Sequence, residues 1–228
     1  MYTLYYSPGA CSMAPHIVLE EIGIPFQVAH TSAFGGKDTD TEAFGRINPK
    51  RRVPVLHPVP GRMGGTSDAL TEASAILFHL ARSHPEVSML PTDPAGQARC
   101  LEWMSWLSSA VHGISYGQLW RPQRYVEDAA LFPAVIAKGR VNVREQYAYI
   151  ESLLADGRDW ALPGGYSIVD PYLLVFYYWG ERIELPMASD YPAWTGLVRR
   201  LLLRPAVQRV LAKEGITILD EASSVAMA

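Results

Sequence analysis

The sequence predicts an α/β unit of order βαβαββα followed by an all-helical unit. Three observations predict it. A β-rich run, Tyr2 to Tyr6, is broken by Ser7-Pro8-Gly9 and followed by apolar residues at helical spacing. A stretch with three prolines and no periodicity, residues 84–94, interrupts the chain. Beyond it only helix-like patterns recur.

The elements follow in order. From Ser12 to Ile22, Met13, Ile17, Val18 and Ile22 recur at helical spacing, and Gly23 closes the segment. Pro25 to His30 returns to strand character, giving a β-α-β unit with parallel strands and a covering helix. Residues 31–50 read as a loop with a short helix, and Val53 to Leu56 as a third strand. A turn rich in Pro and Gly runs from His57 to Asp68. Ala69-Leu70 form a brief fourth strand, and Thr71 to Ser83 a helix with Ala75, Ile76, His79 and Leu80 on one face. This sets the boundaries at 1–84 for the α/β domain, 85–93 for the linker and 94–228 for the helical domain. Within the last, Leu101 to Leu119 and Pro133 to Leu154 are long amphipathic stretches. Ser167 to Ile183 is nearly all apolar, as in a central bundle helix. Ala193 to Leu203 and Pro205 to Lys213 complete the set, and a small-residue tail follows Leu219.

Composition narrows the function classes. Of 228 residues, 49% are hydrophobic and 19% charged, with a formal net charge of -3, so no basic patch favours nucleic acid. The N-terminus lacks a positive region followed by an apolar core, which argues against a secretory signal. No apolar run is long enough for a bilayer. Two cysteines, Cys11 and Cys100, fit a reducing cytoplasm rather than a disulfide framework. No local pairing such as His-x-x-x-Glu suggests a metal.

Five motifs carry candidate chemistry. Ser7-Pro8-Gly9-Ala10-Cys11-Ser12 places a cysteine at a helix N-terminus, where free N–H groups and the helix dipole favour a thiolate. The partner of a Cys-x-x-Cys couple is absent, so a second thiol would have to come from a ligand; a buried structural cysteine is the alternative. In Arg52-Val53-Pro54-Val55, a cis bond before Pro54 would leave the Val53 main chain free for an extended peptide ligand; an edge-strand proline is the plainer reading. In Leu70-Thr71-Glu72-Ala73, Glu72 suits a helix start in any protein and could also meet a ligand ammonium beside the Ala73 N–H. Ser167-x-x-Asp170 resembles a capping box and reads as structure. His112 lies in a long helix, where an ordinary core or surface histidine is commoner than a catalytic one. Tyr116, Trp120, Tyr125 and Tyr177 to Trp179 read mostly as core, with an apolar pocket as the functional option.

Taken together, Tyr5-Tyr6-Ser7-Pro8-Gly9-Ala10-Cys11-Ser12, Asn48-Pro49-x-x-x-Val53-Pro54, Leu70-Thr71-Glu72-x-x-Ala75-Ile76 and Ser167-x-x-Asp170 resemble the bacterial beta-class glutathione transferases, to about residue 215. The resemblance implies a thioredoxin-like N-terminal domain and an all-helical C-terminal domain. It implies glutathione as co-substrate, a small hydrophobic electrophile as the other substrate, no metal, a detoxifying role and a cytoplasmic homodimer. The implied catalytic residues are Cys11, Ser12 and His112. Tyr6, Arg52, Val53, Pro54, Glu72 and Ala73 are implied at the glutathione side, Tyr116 and Trp120 at the electrophile side. The chain departs from the family at Gly113, where lysine often follows the histidine, at Ser105, an asparagine elsewhere, at Ala73, and in a longer loop before Asp68. Arg52 and Lys37 are candidate replacements for the lost charge. Two rivals accompany the transferase reading: a glutathione-dependent thiol–disulfide or peroxide reductase using Cys11, and a non-catalytic binding protein on the same fold.

Overall fold

The structure is a computed structural model that describes residues 1–61 and 68–219. Most of the expected turn before Asp68 and the tail after Leu219 lie outside the described residues.

Aromatic and branched residues give β1 (Tyr2–Tyr6), which pairs in parallel with β2 (Phe26–His30), Tyr2 opposite Phe26 and Tyr6 opposite His30. Between them runs α1 (Met13–Ile22), ended by Gly23, whose φ of 74° and N–H bond to the Leu19 carbonyl make a left-handed cap. α2 (Glu42–Ile47) starts at Thr41, whose side chain accepts the Phe44 N–H. β3 (Val55–His57) and β4 (Leu70–Thr71) add antiparallel partners, giving the order β2-β1-β3-β4, and α3 (Ala73–Ser83) closes the unit. The Val53-Pro54 peptide is cis, and the expected third strand begins two residues late, because β1 pairs with it only from Val55 onward.

The helical part starts with α4 (Pro94–Trp106), which passes through a π-helical segment, Leu107–Tyr116, into α5 (Gly117–Trp120). α6 (Phe132–Leu154), the buried α7 (Val169–Arg182), α8 (Met187–Asp190), α9 (Pro192–Leu202) and α10 (Pro205–Glu214) follow. At the start of α7 the Asp170 carboxylate accepts the Ser167 N–H at 2.7 Å and the Ala161 N–H at 2.8 Å. The Ser167 hydroxyl accepts from Val169, one residue earlier than a full capping box would have it.

The side chains of β1 alternate. Leu4 and Tyr6 join the large core shared with α1, α3 and the helical part; Tyr5 faces a smaller cluster of Phe44, Val53 and Val55. α1 packs on α3, α7 and α10, so the loop before it is held from both halves of the chain.

Candidate active site

The loop from Ser7 to Ser12 is closed by its own ends. The Ser12 hydroxyl accepts the Ser7 N–H and donates to the Ser7 carbonyl, both at 3.1 Å. Gly9 is gripped from the helical part: its N–H donates to Glu214 Oε2 at 2.9 Å, and its carbonyl accepts Trp179 Nε1–H at 2.7 Å. Gly9 sits at φ 69°, and a Cβ there would lie 2.8 Å from the Tyr178 ring, so only glycine fits this crossing. Glu214 Oε1 also lies 2.8 Å from His16 Nδ1, and both side chains are fully buried.

This loop carries Cys11, whose thiol donates to the Val53 carbonyl at 3.6 Å. The sequence leads one to expect a stabilised thiolate. Instead, burial pushes the Cys11 thiol up to about 12; the Cys11 and Ser12 N–H groups and Arg52 pull the other way without overcoming it, and Glu72 adds to the rise. α1 begins only at Met13, so the thiol precedes the helix, and Cys11 is 7% exposed.

Glu72, at the start of α3, has φ 74° and an exposed carboxylate paired with Lys50. Ala73 follows as the first helical residue, buried, with its N–H among the donors a helix start leaves open. One residue on, α3 is tied to the helical part: the Ser74 hydroxyl meets the Ser108 hydroxyl at 2.5 Å, and Ser108 meets the Tyr172 hydroxyl at 3.3 Å. Tyr172 and Cys11 are near enough to influence each other electrostatically.

The π-helical segment presents His112, half-buried, with its ring 4.9 Å from Trp179 and 6.3 Å from Phe176. Burial, helped by Arg52 and Arg124, pushes the imidazole down to about 4, so it is neutral at pH 7. Trp120, 38% exposed, lies 4.5 Å from Tyr116 and 5.0 Å from Trp179, forming an open aromatic wall.

Cys11 meets Val53, and Arg52 and Glu72 act on both Cys11 and His112, so these five lie together where the two halves of the chain meet; Pro54 and Ala73 adjoin them in sequence, and Trp120 joins through Trp179, which packs on the His112 ring. Several expectations are corrected. Tyr6 points away, its ring packed on His16 and His30, because residues 4 and 6 of β1 share the core face; Tyr5 is the neighbour of Val53 and Ala10. The Ser12 hydroxyl gives its proton to the Ser7 carbonyl in closing the loop. Tyr116 is 1% exposed, with its hydroxyl bonded to Tyr147 at 2.5 Å, and stands behind Trp120 rather than facing the cleft. Lys37 is exposed in the loop after β2, while Arg124 bears directly on His112. Glu214 and Tyr172 carry no local signal, and Trp179, read with its aromatic neighbours as core or pocket, gives no sign of its bond to the Gly9 loop; the hydrogen bonds of Glu214 and Trp179 to Gly9 span 205 and 170 residues. Among the described residues no group of His, Cys, Asp and Glu gathers that could hold a metal ion, and no helix is long and apolar enough to cross a membrane.

Comparison with known proteins agrees with this geometry. Residues 9–83 match the glutathione S-transferase N-terminal domain. Glutathione S-transferase GstA of Escherichia coli O157:H7 is 28% identical over 93% of this chain and 98% of its own length. A glutathione transferase homologue from Sulfitobacter, solved with bound glutathione, superimposes with a TM-score of 0.84 at 29% identity, covering 95% of this chain and 99% of that one. A glutathione transferase from Methylococcus capsulatus strain Bath is 32% identical, with a TM-score of 0.77 over 94% of this chain and 99% of its own. With a common fold, a common chain length and this level of identity along both domains, the protein belongs to the glutathione transferase family.

Proposed function

We propose that this chain conjugates glutathione to small hydrophobic electrophiles, with residues 1–84 holding the tripeptide, 85–93 as linker and 94–228 supplying the electrophile wall. One observation carries the reading: Cys11 touches the Val53 main chain, with Glu72 at the start of α3 near enough to act on it, in a chain that aligns over 95% of its length with a relative solved with glutathione. The Val53 main chain pairs the cysteinyl unit, and Glu72 with the Ala73 N–H holds the γ-glutamyl end. Arg52 and Pro54 border the tripeptide, and Trp120 backs the electrophile.

Glutathione must react as thiolate. Lowering its pKa by about two units needs about 2.7 kcal/mol of differential stabilisation. One hydrogen bond to a charged group supplies about 1.5–3 kcal/mol. The Cys11 thiol can supply such a bond by turning its one proton from the Val53 carbonyl to the glutathione sulfur, and neutral His112 is a second group on the same side of the molecule. A cysteine held protonated is a poor nucleophile, which supports transfer over disulfide exchange. The thiolate attacks the electrophilic carbon, a sulfur–carbon bond forms, and the leaving group departs with its electron pair.

We further infer a cytoplasmic homodimer. Exposed apolar side chains on α4 and α6, among them Leu101, Val141 and Tyr149, support a self-association surface. Sedimentation at micromolar concentration gives twice the 25.2 kDa chain mass if this is right. The activity is tested with 1-chloro-2,4-dinitrobenzene: the wild type conjugates it, and Cys11→Ala lowers kcat/KM about tenfold, the loss of one charged hydrogen bond. A wild type without activity would sink the transferase reading.

A further inference from the structure

The turn after α5 carries cations that the glutathione side does not use. Arg121 and Arg124 flank Pro122 and Gln123 directly after Trp120, and Arg121 Nη1 donates to the Trp120 carbonyl at 3.1 Å. Tyr125 folds this turn back onto the His112 segment: its hydroxyl donates to the Gly113 carbonyl at 2.6 Å and reaches the Ile114 carbonyl at 3.2 Å. Gly117 makes room, since a Cβ there would lie 2.4 Å from the Tyr125 hydroxyl. Arg124 is thereby brought beside His112, where it and Arg52 both act on the imidazole, and Arg52 and Arg121 act in turn on Arg124. The Tyr125 bonds thus hold Arg121 and Arg124, beside the exposed Trp120, against the His112 segment, and Arg52 from the other half of the chain is near enough to act on Arg124. Among the described residues no carboxylate lies within ion-pair distance of Arg52, Arg121 or Arg124. The nearby Glu72 is bound to Lys50. Like charges gathered without a counter-ion repel one another, and an anion placed among them relieves the repulsion.

Resting on the transferase reading above, we propose that the second substrate is an aromatic electrophile bearing a carboxylate, its ring stacked on Trp120 and its anion held by Arg124 and Arg121. Arginine suits this task because its planar fork binds a carboxylate through two parallel hydrogen bonds. In the transfer, the glutathione thiol proton passes to solvent, the sulfur–carbon bond forms, and chloride leaves with the carbon–chlorine pair.

Calorimetry with 3,5-dinitrobenzoate and its neutral counterpart 1,3-dinitrobenzene tests the site without requiring turnover. The wild type binds the benzoate about tenfold more tightly than the neutral ring, a difference of about 1.4 kcal/mol. Arg124→Gln and Arg121→Gln each remove most of that preference, and raising ionic strength weakens the benzoate alone. In turnover, kcat/KM for 4-chloro-3,5-dinitrobenzoate falls about tenfold in Arg124→Gln. The 1-chloro-2,4-dinitrobenzene value falls by less, since an effect felt through His112 is common to both chlorides, so the ratio of the two reads the carboxylate contact, and the glutathione Kd stays as in the wild type. Equal binding of the two rings by the wild type overturns the proposal. So does a loss of glutathione affinity in Arg124→Gln, which would give the guanidinium to glutathione's own carboxylate. Benzoate selectivity without turnover of either chloride would leave this site standing and refute the transferase reading instead.

Discussion

Replacing Glu214 with alanine removes one side chain from α10 and cuts the loop of Cys11 loose from the helical half. The carboxylate accepts the Gly9 N–H at 2.9 Å and lies 2.8 Å from His16 Nδ1, with both side chains at 0% exposure. The substitution leaves two buried polar groups unpaired, the Gly9 N–H and His16 Nδ1, and each costs about 1–3 kcal/mol. His16 Nε2 is already without a hydrogen-bond partner, so the ring has no alternative bond to fall back on. Taking about 4 kcal/mol, and about 2–4 °C per kcal/mol for a chain of this length, the melting temperature falls by about 8–16 °C. Glu214→Gln keeps an acceptor for Gly9 and an N–H for His16 Nδ1, and loses only about 1–2 kcal/mol. Scanning calorimetry measures both variants, and the glutathione KM reports the loop. An alanine variant melting within 2 °C of the wild type would refute the claim that α10 positions this loop.

The remaining predictions concern the cap of α7 and the cleft histidine. Asp170→Ala leaves the buried Ala161 and Ser167 N–H groups unpaired and lowers stability by about 2–5 kcal/mol, read from the urea midpoint at unchanged m; a loss below 1 kcal/mol contradicts the cap's role. His112 is neutral in the cleft because its pKa drops from 6.5 to about 4, so kcat/KM between pH 5.5 and 8 shows no histidine inflection, and one that disappears in His112→Gln would overturn this. The same shift has a sign for stability. The folded pKa lies below the unfolded one, so the contribution is present above pH 6.5 and is lost as pH falls toward 4. His112→Gln is therefore less sensitive than the wild type to acid in that window, as denaturant midpoints at pH 4.5 and 7 will show.

Local signals were legible wherever a short segment decides its own structure. The aromatic run of β1, the Gly23 cap, the proline before β3 and the acidic cap of α7 are read from a few adjacent residues. What escaped depends on which face of an element meets which neighbour. Alternation along β1 separates Tyr5 from Tyr6, but only the packing of α1 and α2 on opposite sides decides that Tyr6 is core and Tyr5 borders the cleft. The Cys11 thiol illustrates a contest of magnitudes: helix-end effects offer at most about 2 kcal/mol, and burial outweighs them. The π-helical segment around His112 has no composition that marks it, because it is stabilised by tertiary contacts such as the Tyr125 hydroxyl on Gly113.

The central claim is that glutathione binds with its sulfur against Cys11. A crystal structure of the complex measures this most directly. The account predicts the glutathione sulfur within hydrogen-bond reach of Cys11 Sγ, its cysteinyl main chain paired with Val53, and its γ-glutamyl end at Glu72 and Ala73. A tripeptide bound with its sulfur away from Cys11, or a cleft that stays empty at millimolar glutathione, would contradict it.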